Sequence, residues 1–183
     1  MGKVKEPDPV KLFFAEFTSE AELFPQVEDR LKDMFGEIDF SSPLFDFDYT
    51  DYYAEEMGIE LKKKFVSFKK LIAPQELSRI KRASQVLEEE FSREGKRRIN
   101  LDPGYLTLSK VVLASTKDSY HRLYLGSGIY GEVTLYFFRG SYQPFPWTYP
   151  DYSSDVFREI FTRVRKRYKD ELQKKRKNIP LDK

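Results

Sequence analysis

The sequence of 183 residues has no cysteine, one histidine and one tryptophan. Without a thiol there is no cysteine nucleophile, no disulfide scaffold and no thiol-ligated metal, and one imidazole cannot build a multi-histidine metal site. No apolar run approaches the ~20 residues that a membrane-spanning helix needs. The opening stretch MGKVKEPDPVKLFF lacks the basic flank, apolar middle and small-residue cleavage site of a secretory signal. These absences lead to the expectation of a soluble, cytoplasmic protein with no membrane partner.

A hydrophobic fraction of 40% beside 34% charged residues is that of a globular chain, and the length suits a single domain over 1–183. The net charge of +2 compels no nucleic-acid partner, but the charge is unevenly spread. Asp39 to Glu56 contains six acidic residues and no lysine or arginine, whereas Arg158 to Lys183 has 11 basic against 4 acidic residues. Such segments can attract each other within one chain or between copies, so a homo-oligomer is an open expectation.

After a polar lead over 1–10, KLFFAEFT reads as a strand apolar on both faces. Ser19 and Glu22 have capping-box spacing ahead of a helix carrying Leu23, Val27, Leu31 and Met34, closed by Gly36. Ile38 to Phe40 and Phe65 to Phe68 suggest strands on either side of an acidic, aromatic loop. Pro74 opens a second helix with Leu77, Ile80, Ala83, Leu87 and Phe91 on one stripe. KRRINLD is read as the next strand, turned by Asp102-Pro103-Gly104. The succession is β-α-β-β-α-β, so 11–102 is expected to form an α+β, ferredoxin-like split βαβ core.

Beyond it, 103–150 is expected to hold a short helix, a hairpin and a strap. Leu108, Val111, Val112 and Ser115 are spaced for the helix, although the β-branched pair also suits a strand. A three-residue loop Gly126-Ser127-Gly128 would set Leu125 opposite Ile129, Tyr124 opposite Tyr130 and Arg122 opposite Glu132. Odd residues Ile129, Val133, Leu135 and Phe137 then share one apolar face, with His121 on the same side. The prolines and aromatics from Gly140 to Asp151 predict an extended strap fixed by ring packing rather than a ladder. A basic amphipathic helix over 151–177 and a frayed tail over 178–183 complete the chain.

Gly126-Ser127-Gly128-Ile129-Tyr130-Gly131 satisfies the dinucleotide pattern G-x-G-x-x-G, but that fingerprint opens a helix and here a strand follows. The kinase reading of the same glycines lacks its lysine strand, H-R-D and D-F-G. Turn glycines plus one crowded strand position is the simpler reading. His121 is a candidate general base near Asp118 or Glu132, against a hydrogen-bonded structural histidine. Asp102, His121 and Glu132 are thus the candidate catalytic groups. Asn100, Lys110, Lys117, Arg122, Arg139, Trp147 and Tyr149 are the candidate ligand contacts, in a site between hairpin 120–138 and strap 140–152. Asp46, Asp48 and Asp51 are weak candidates for a hard cation, because they miss the calcium-loop spacing.

The segments NLDPGYLTLSKVVLASTKD, HRLYLGSGIYGEVTL and QPFPWTYPDY, with GKVKEPDPVKLFF and FDFDYTDYY, resemble a prokaryotic family known only as a domain of unknown function. The resemblance covers nearly the whole chain. It implies a stand-alone cytoplasmic protein and brings no assigned catalytic residue; some relatives bear an automatic GTP-binding label. The sequence has no G-x-x-x-x-G-K-[ST] loop, and Thr116-Lys117-Asp118 lacks one residue of the guanine-reading [NT]-K-x-D motif. The leading expectation is a ligand-binding or interaction domain for a small molecule or protein. The alternatives are a nucleotide- or phosphate-processing enzyme, with a magnesium nucleotide as cofactor, and an RNA-binding protein using the basic last helix.

Overall fold

The computed structural model describes residues 2–50 and 53–177. Its centre is a nine-stranded sheet in which every pairing is antiparallel. In chain order the elements are β1 (Lys11–Thr18), α1 (Leu23–Phe35), β2 (Ile38–Ser41), β3 (Phe45–Asp46), α2 (Ala54–Met57) and β4 (Lys62–Phe68). A 3-10 turn at Pro74–Glu76 leads into α3 (Leu77–Glu90), followed by β5 (Asn100–Leu106), β6 (Lys110–Ser115), β7 (Arg122–Gly126) and β8 (Ile129–Phe138). β9 (Ser141–Pro144), α4 (Pro150–Ser153) and α5 (Asp155–Lys177) close the fold. The strand order is β2-β4-β1-β5-β6-β8-β7, with β3 added on β4 and β9 on β8. The protein is thus α+β, and the expected succession of elements over 11–102 is present with β3 and α2 inserted.

Helices cover both faces of the sheet. β1 is buried along its whole length because its alternate residues serve two cores. Leu12 and Phe14 join Val66, Phe68 and Leu101 under α1 and α3, which supply Phe24, Val27, Leu31, Ile80 and Leu87. Phe13 and Ala15 meet Phe65, Leu113 and Leu135 under α5, which supplies Phe157, Ile160, Phe161, Val164, Tyr168 and Leu172. The last helix therefore spends its apolar stripe on the sheet. It is also tied to the strands by polar contacts: Lys11 Nζ donates to Glu171 at 2.7 Å, and Arg165 Nε donates to the Leu108 carbonyl at 2.8 Å.

Several local expectations are corrected. The capping box does not form, since Ser19 Oγ donates to the Met57 carbonyl and Glu22 stands at the start of α1 without a side-chain cap. Lys110–Ser115 is a strand, not a helix, because Val111 and Leu113 are needed on one face of the sheet and Val112 and Ala114 on the other. The hairpin pairs Arg122 with Glu132 and Tyr124 with Tyr130, but Gly126 rather than Leu125 stands opposite Ile129. Its loop is Ser127-Gly128, both at positive φ as in a two-residue hairpin turn, and Leu125 is the extra residue. The odd-numbered face of β8 is divided by a bulge at Thr134: Val133 packs beside Val112, whereas Leu135 turns to the α5 side. The strap begins as a ladder, with β9 paired to Leu135–Phe138.

The largest correction is at Asp102-Pro103-Gly104, which lies inside β5 and makes no turn. β5 pairs with β1 from Asn100 to Leu106, but meets β6 only from Gly104 to Leu106. Backbone groups alternate sides along a strand, so Leu101, Pro103 and Tyr105 address β6. Pro103 has no N–H to give there, and the ladder stops. At Gly104 the neighbours crowd in, and a Cβ would lie 2.5 Å from the Phe13 ring and 2.6 Å from the Val112 carbonyl oxygen. The strands part beyond it, and α3 reaches into the gap.

Candidate functional site

Leu101, left without a strand partner on the β6 side, is satisfied by side chains of α3. Its N–H donates to Glu88 Oε1 at 2.6 Å, and its carbonyl accepts from Lys81 Nζ at 2.9 Å. Two charged groups are thereby drawn into the buried stripe of a helix. The gap they border is a cleft of about 340 Å³, at the small end of the roughly 300–1,000 Å³ range of small-molecule sites.

Asp102 projects into this cleft with its side chain 33% exposed. Lys81 Nζ donates to Oδ1 at 3.0 Å and Asn100 Nδ2 to Oδ2 at 2.8 Å. Asn100 is in turn oriented by Arg97, whose guanidinium holds Glu56 through two hydrogen bonds of 2.8 and 2.6 Å. Burial works to raise the Asp102 pKa, but Lys81, Lys63 and Asn100 outweigh it and hold the carboxyl below its ordinary value. Glu88 goes the other way. Its burial dominates the attraction of Lys81, and its pKa is pushed up to about 7.

The opposite wall is built on β4 and α4. Lys63 Nζ donates to Asp151 Oδ2 at 2.5 Å, and both side chains are buried. Five aromatic rings surround this ammonium, the nearest being Phe47 at 4.8 Å and Tyr152 at 4.9 Å from their centroids. The Tyr152 hydroxyl is buried, and among the described residues it has no hydrogen-bond partner. Burial, then the charges of Asp151 and Asp102, raise its pKa well above the ordinary value, so it remains a neutral O–H. Gln85 Oε1 is a second buried cleft atom with no partner among the described residues.

Arg122 closes the third side. Its Nε donates to Glu132 at 2.9 Å, NH1 to Ser115 Oγ at 3.0 Å and to the Lys117 carbonyl at 2.8 Å, and NH2 to the Tyr149 hydroxyl at 2.9 Å. One residue thus fixes the loop after β6 and the segment before α4. His121 stands behind it: Nε2 lies 3.0 Å from Glu132 and Nδ1 3.0 Å from Ser119 Oγ, and the ring stacks on Trp147 at 5.3 Å. With the Glu132 carboxylate as acceptor, Nε2 is the donor of that pair.

The structure therefore brings Asn100, Asp102, Lys117, Arg122 and Tyr149 to one cleft, and places Glu132, His121 and Trp147 behind its Arg122 wall. Lys110 and Arg139 are elsewhere. Lys110 is exposed at the far end of β6, and Arg139 lies in the turn before β9 against the Phe138 ring. Asp46 pairs with Lys62, Asp48 is exposed, and Asp51 lies outside the described residues. No group of three or more potential metal-binding side chains is present among the described residues. The glycines of 126–131 do not line the cleft; Gly126 and Gly128 serve positive φ, and Gly131 is crowded by Leu125.

Sequence reasoning missed Lys63, Lys81, Glu88, Arg97 and Asp151. For two of them a signal existed: Lys81 and Glu88 are seven residues apart on the stripe of Leu77, Ile80 and Leu87, and charge inside a buried stripe needs a reason. Nothing in the local pattern around Lys63 or Asp151 singles them out.

Fold and cleft define an α+β protein with a charged pocket at a split in an antiparallel sheet. No helix among the described residues is long and apolar enough to cross a membrane. The family described as "Domain of unknown function (DUF4416)" matches residues 8–168, and the chain belongs to it. No curated protein and no solved structure matches the chain.

Proposed function

We propose that this protein is a cytoplasmic small-molecule binding protein whose ligand enters the split between β5 and β6 and carries an anionic group. The observation that carries this reading is the charge of the lining. Five cations, Lys63, Lys81, Arg97, Lys117 and Arg122, line the cleft against three lining carboxyls, Glu88, Asp102 and Asp151, while Glu56 and Glu132 pair with Arg97 and Arg122 from behind the wall. With those two counted the charges balance, and Glu88, its pKa near neutrality, tips them positive as it takes up a proton. A low-dielectric cleft with excess positive charge attracts anions more strongly than the same charges on an open surface.

Thermal denaturation of the intact protein tests this reading against nucleotides with and without magnesium, sugar phosphates and inorganic phosphate. A ligand present at 100 times its Kd adds about 2.7 kcal/mol of stability. At least one anionic compound is expected to raise the melting temperature, and the shift should weaken in Lys117→Glu. A panel without any shift at millimolar concentration refutes the proposal.

One observation favours a second reading, an acid–base enzyme working on the same ligand. Asp102 and Glu88 both feel Lys81, yet their environments push their pKa values apart. Paired carboxyls separated in this way can supply a base and an acid at neutral pH. Asp102 would be the base, since it is ionised and reaches the cleft. Turnover of a shifting ligand, lost in Asp102→Asn with binding retained, would distinguish an enzyme from a binder.

A further inference from the structure

The inner end of the cleft differs from the lining taken as a whole. Lys81 is paired with Asp102, Lys63 with Asp151 and Arg97 with Glu56, so each cation there already faces a carboxylate within hydrogen-bond distance. A phosphate pushed to this depth would meet those carboxylates as well as the cations. What the inner end offers instead is spare hydrogen-bonding capacity of mixed sign. Each Asp102 oxygen accepts one bond from Lys81 or Asn100 and has a second lone pair. Gln85 Oε1 is an unsatisfied acceptor, and the Tyr152 hydroxyl can both donate and accept.

Neutral groups that donate and accept at once fit this set, whereas an ammonium would be repelled by Lys63 and Lys81. Beside the polar groups runs an apolar wall, with Phe17 and Phe47 stacked at 5.0 Å. The C–H face of a saturated ring can pack on such a wall while its hydroxyls turn to Asp102 and Tyr152. At ~30 Å³ per water, the cleft has the room of about eleven water molecules, enough for a one-ring compound.

Resting on the reading of the cleft as a small-molecule site, we propose that its inner end is a hydroxyl-reading subsite for a polyhydroxylated ring, a sugar carrying a phosphate. The ring occupies the pocket between Asp102 and Tyr152, and the phosphate remains near Lys117 and Arg122, whose carboxylate partner Glu132 meets Nε while NH1 and NH2 face neutral oxygens. Tyr152→Phe isolates this claim, because its hydroxyl makes no hydrogen bond to a described residue and its loss breaks none of the fold's contacts.

The intact protein is titrated calorimetrically with ribose 5-phosphate and glucose 6-phosphate, and in parallel with inorganic phosphate and pyrophosphate. At least one sugar phosphate is expected to bind ten times more tightly than either anion without hydroxyls. Tyr152→Phe should melt at or above the temperature of the unaltered protein and bind that sugar phosphate about tenfold more weakly, with its weak affinity for pyrophosphate unchanged. Pyrophosphate binding as tightly as the sugar phosphates overturns the hydroxyl subsite and leaves the anion-binding reading intact. Unchanged sugar-phosphate affinity in Tyr152→Phe overturns the subsite as well. If no compound of either kind binds, both readings fall.

Discussion

Glu88 shows how one residue carries both structure and chemistry. Its carboxyl replaces a missing strand by accepting the Leu101 N–H, and burial moves its pKa from 4.5 to about 7. A carboxyl whose pKa is raised on folding favours the folded state while protonated. Its contribution is therefore full below about pH 4.5 and is lost as pH rises toward and past 7. A shift of this size is worth on the order of 3 kcal/mol. Urea midpoints measured from pH 5 to 8 are expected to decline more steeply in the natural protein than in Glu88→Gln, whose amide oxygen can still accept the Leu101 N–H. Parallel pH curves for the two proteins would mean that Glu88 does not titrate in this window.

Among the elements, α5 is amphipathic as its spacing predicts, with its apolar stripe on the sheet and Arg163, Lys166, Arg167 and Lys169 exposed. Phe161 is buried beneath the helix, with ring contacts to Phe13 at 5.0 Å and Phe65 at 5.3 Å, so α5 forms one wall of the core. Phe161→Ala is expected to cost about 3–5 kcal/mol in chemical denaturation. Val156→Ala, one turn earlier and half exposed, should cost no more than about 0.5 kcal/mol. Equal losses in the two variants would refute this packing. Much at this scale was legible in the sequence, including both helices of the first hundred residues, the pairing of Arg122 with Glu132 and the apolar stripe of the last helix. β6 and the Asp102-Pro103-Gly104 stretch were not. Leu108, Val111, Val112 and Ser115 fit a helix or a strand equally well, and proline with glycine means a turn until a neighbouring strand supplies another reason for both.

Over the whole molecule, the cleft is assembled by contacts between remote parts of the chain. Lys63 on β4 and Asp151 on α4 form a buried pair 88 positions apart, which fastens the α4 segment to the sheet. Lys63→Met leaves Asp151 buried and unpaired and is expected to destabilise by about 3–5 kcal/mol. Lys63→Met combined with Asp151→Asn should recover most of that loss, because no isolated charge remains. If the double variant is no more stable than the single one, the pair does not fasten α4 to the sheet.

The sequence by itself determined the properties that repeat over a few residues. Alternation set which side chains share a strand face, helical spacing set the stripes, and the absence of cysteine with a single histidine excluded whole classes of site. Only the tertiary structure decided where the sheet splits and which charges meet there. A strand's missing N–H matters only when a neighbour would have accepted it, as at Pro103. A buried charge is tolerated only beside its partner, and the partners of Lys63, Lys81 and Arg97 lie 88, 21 and 41 positions away.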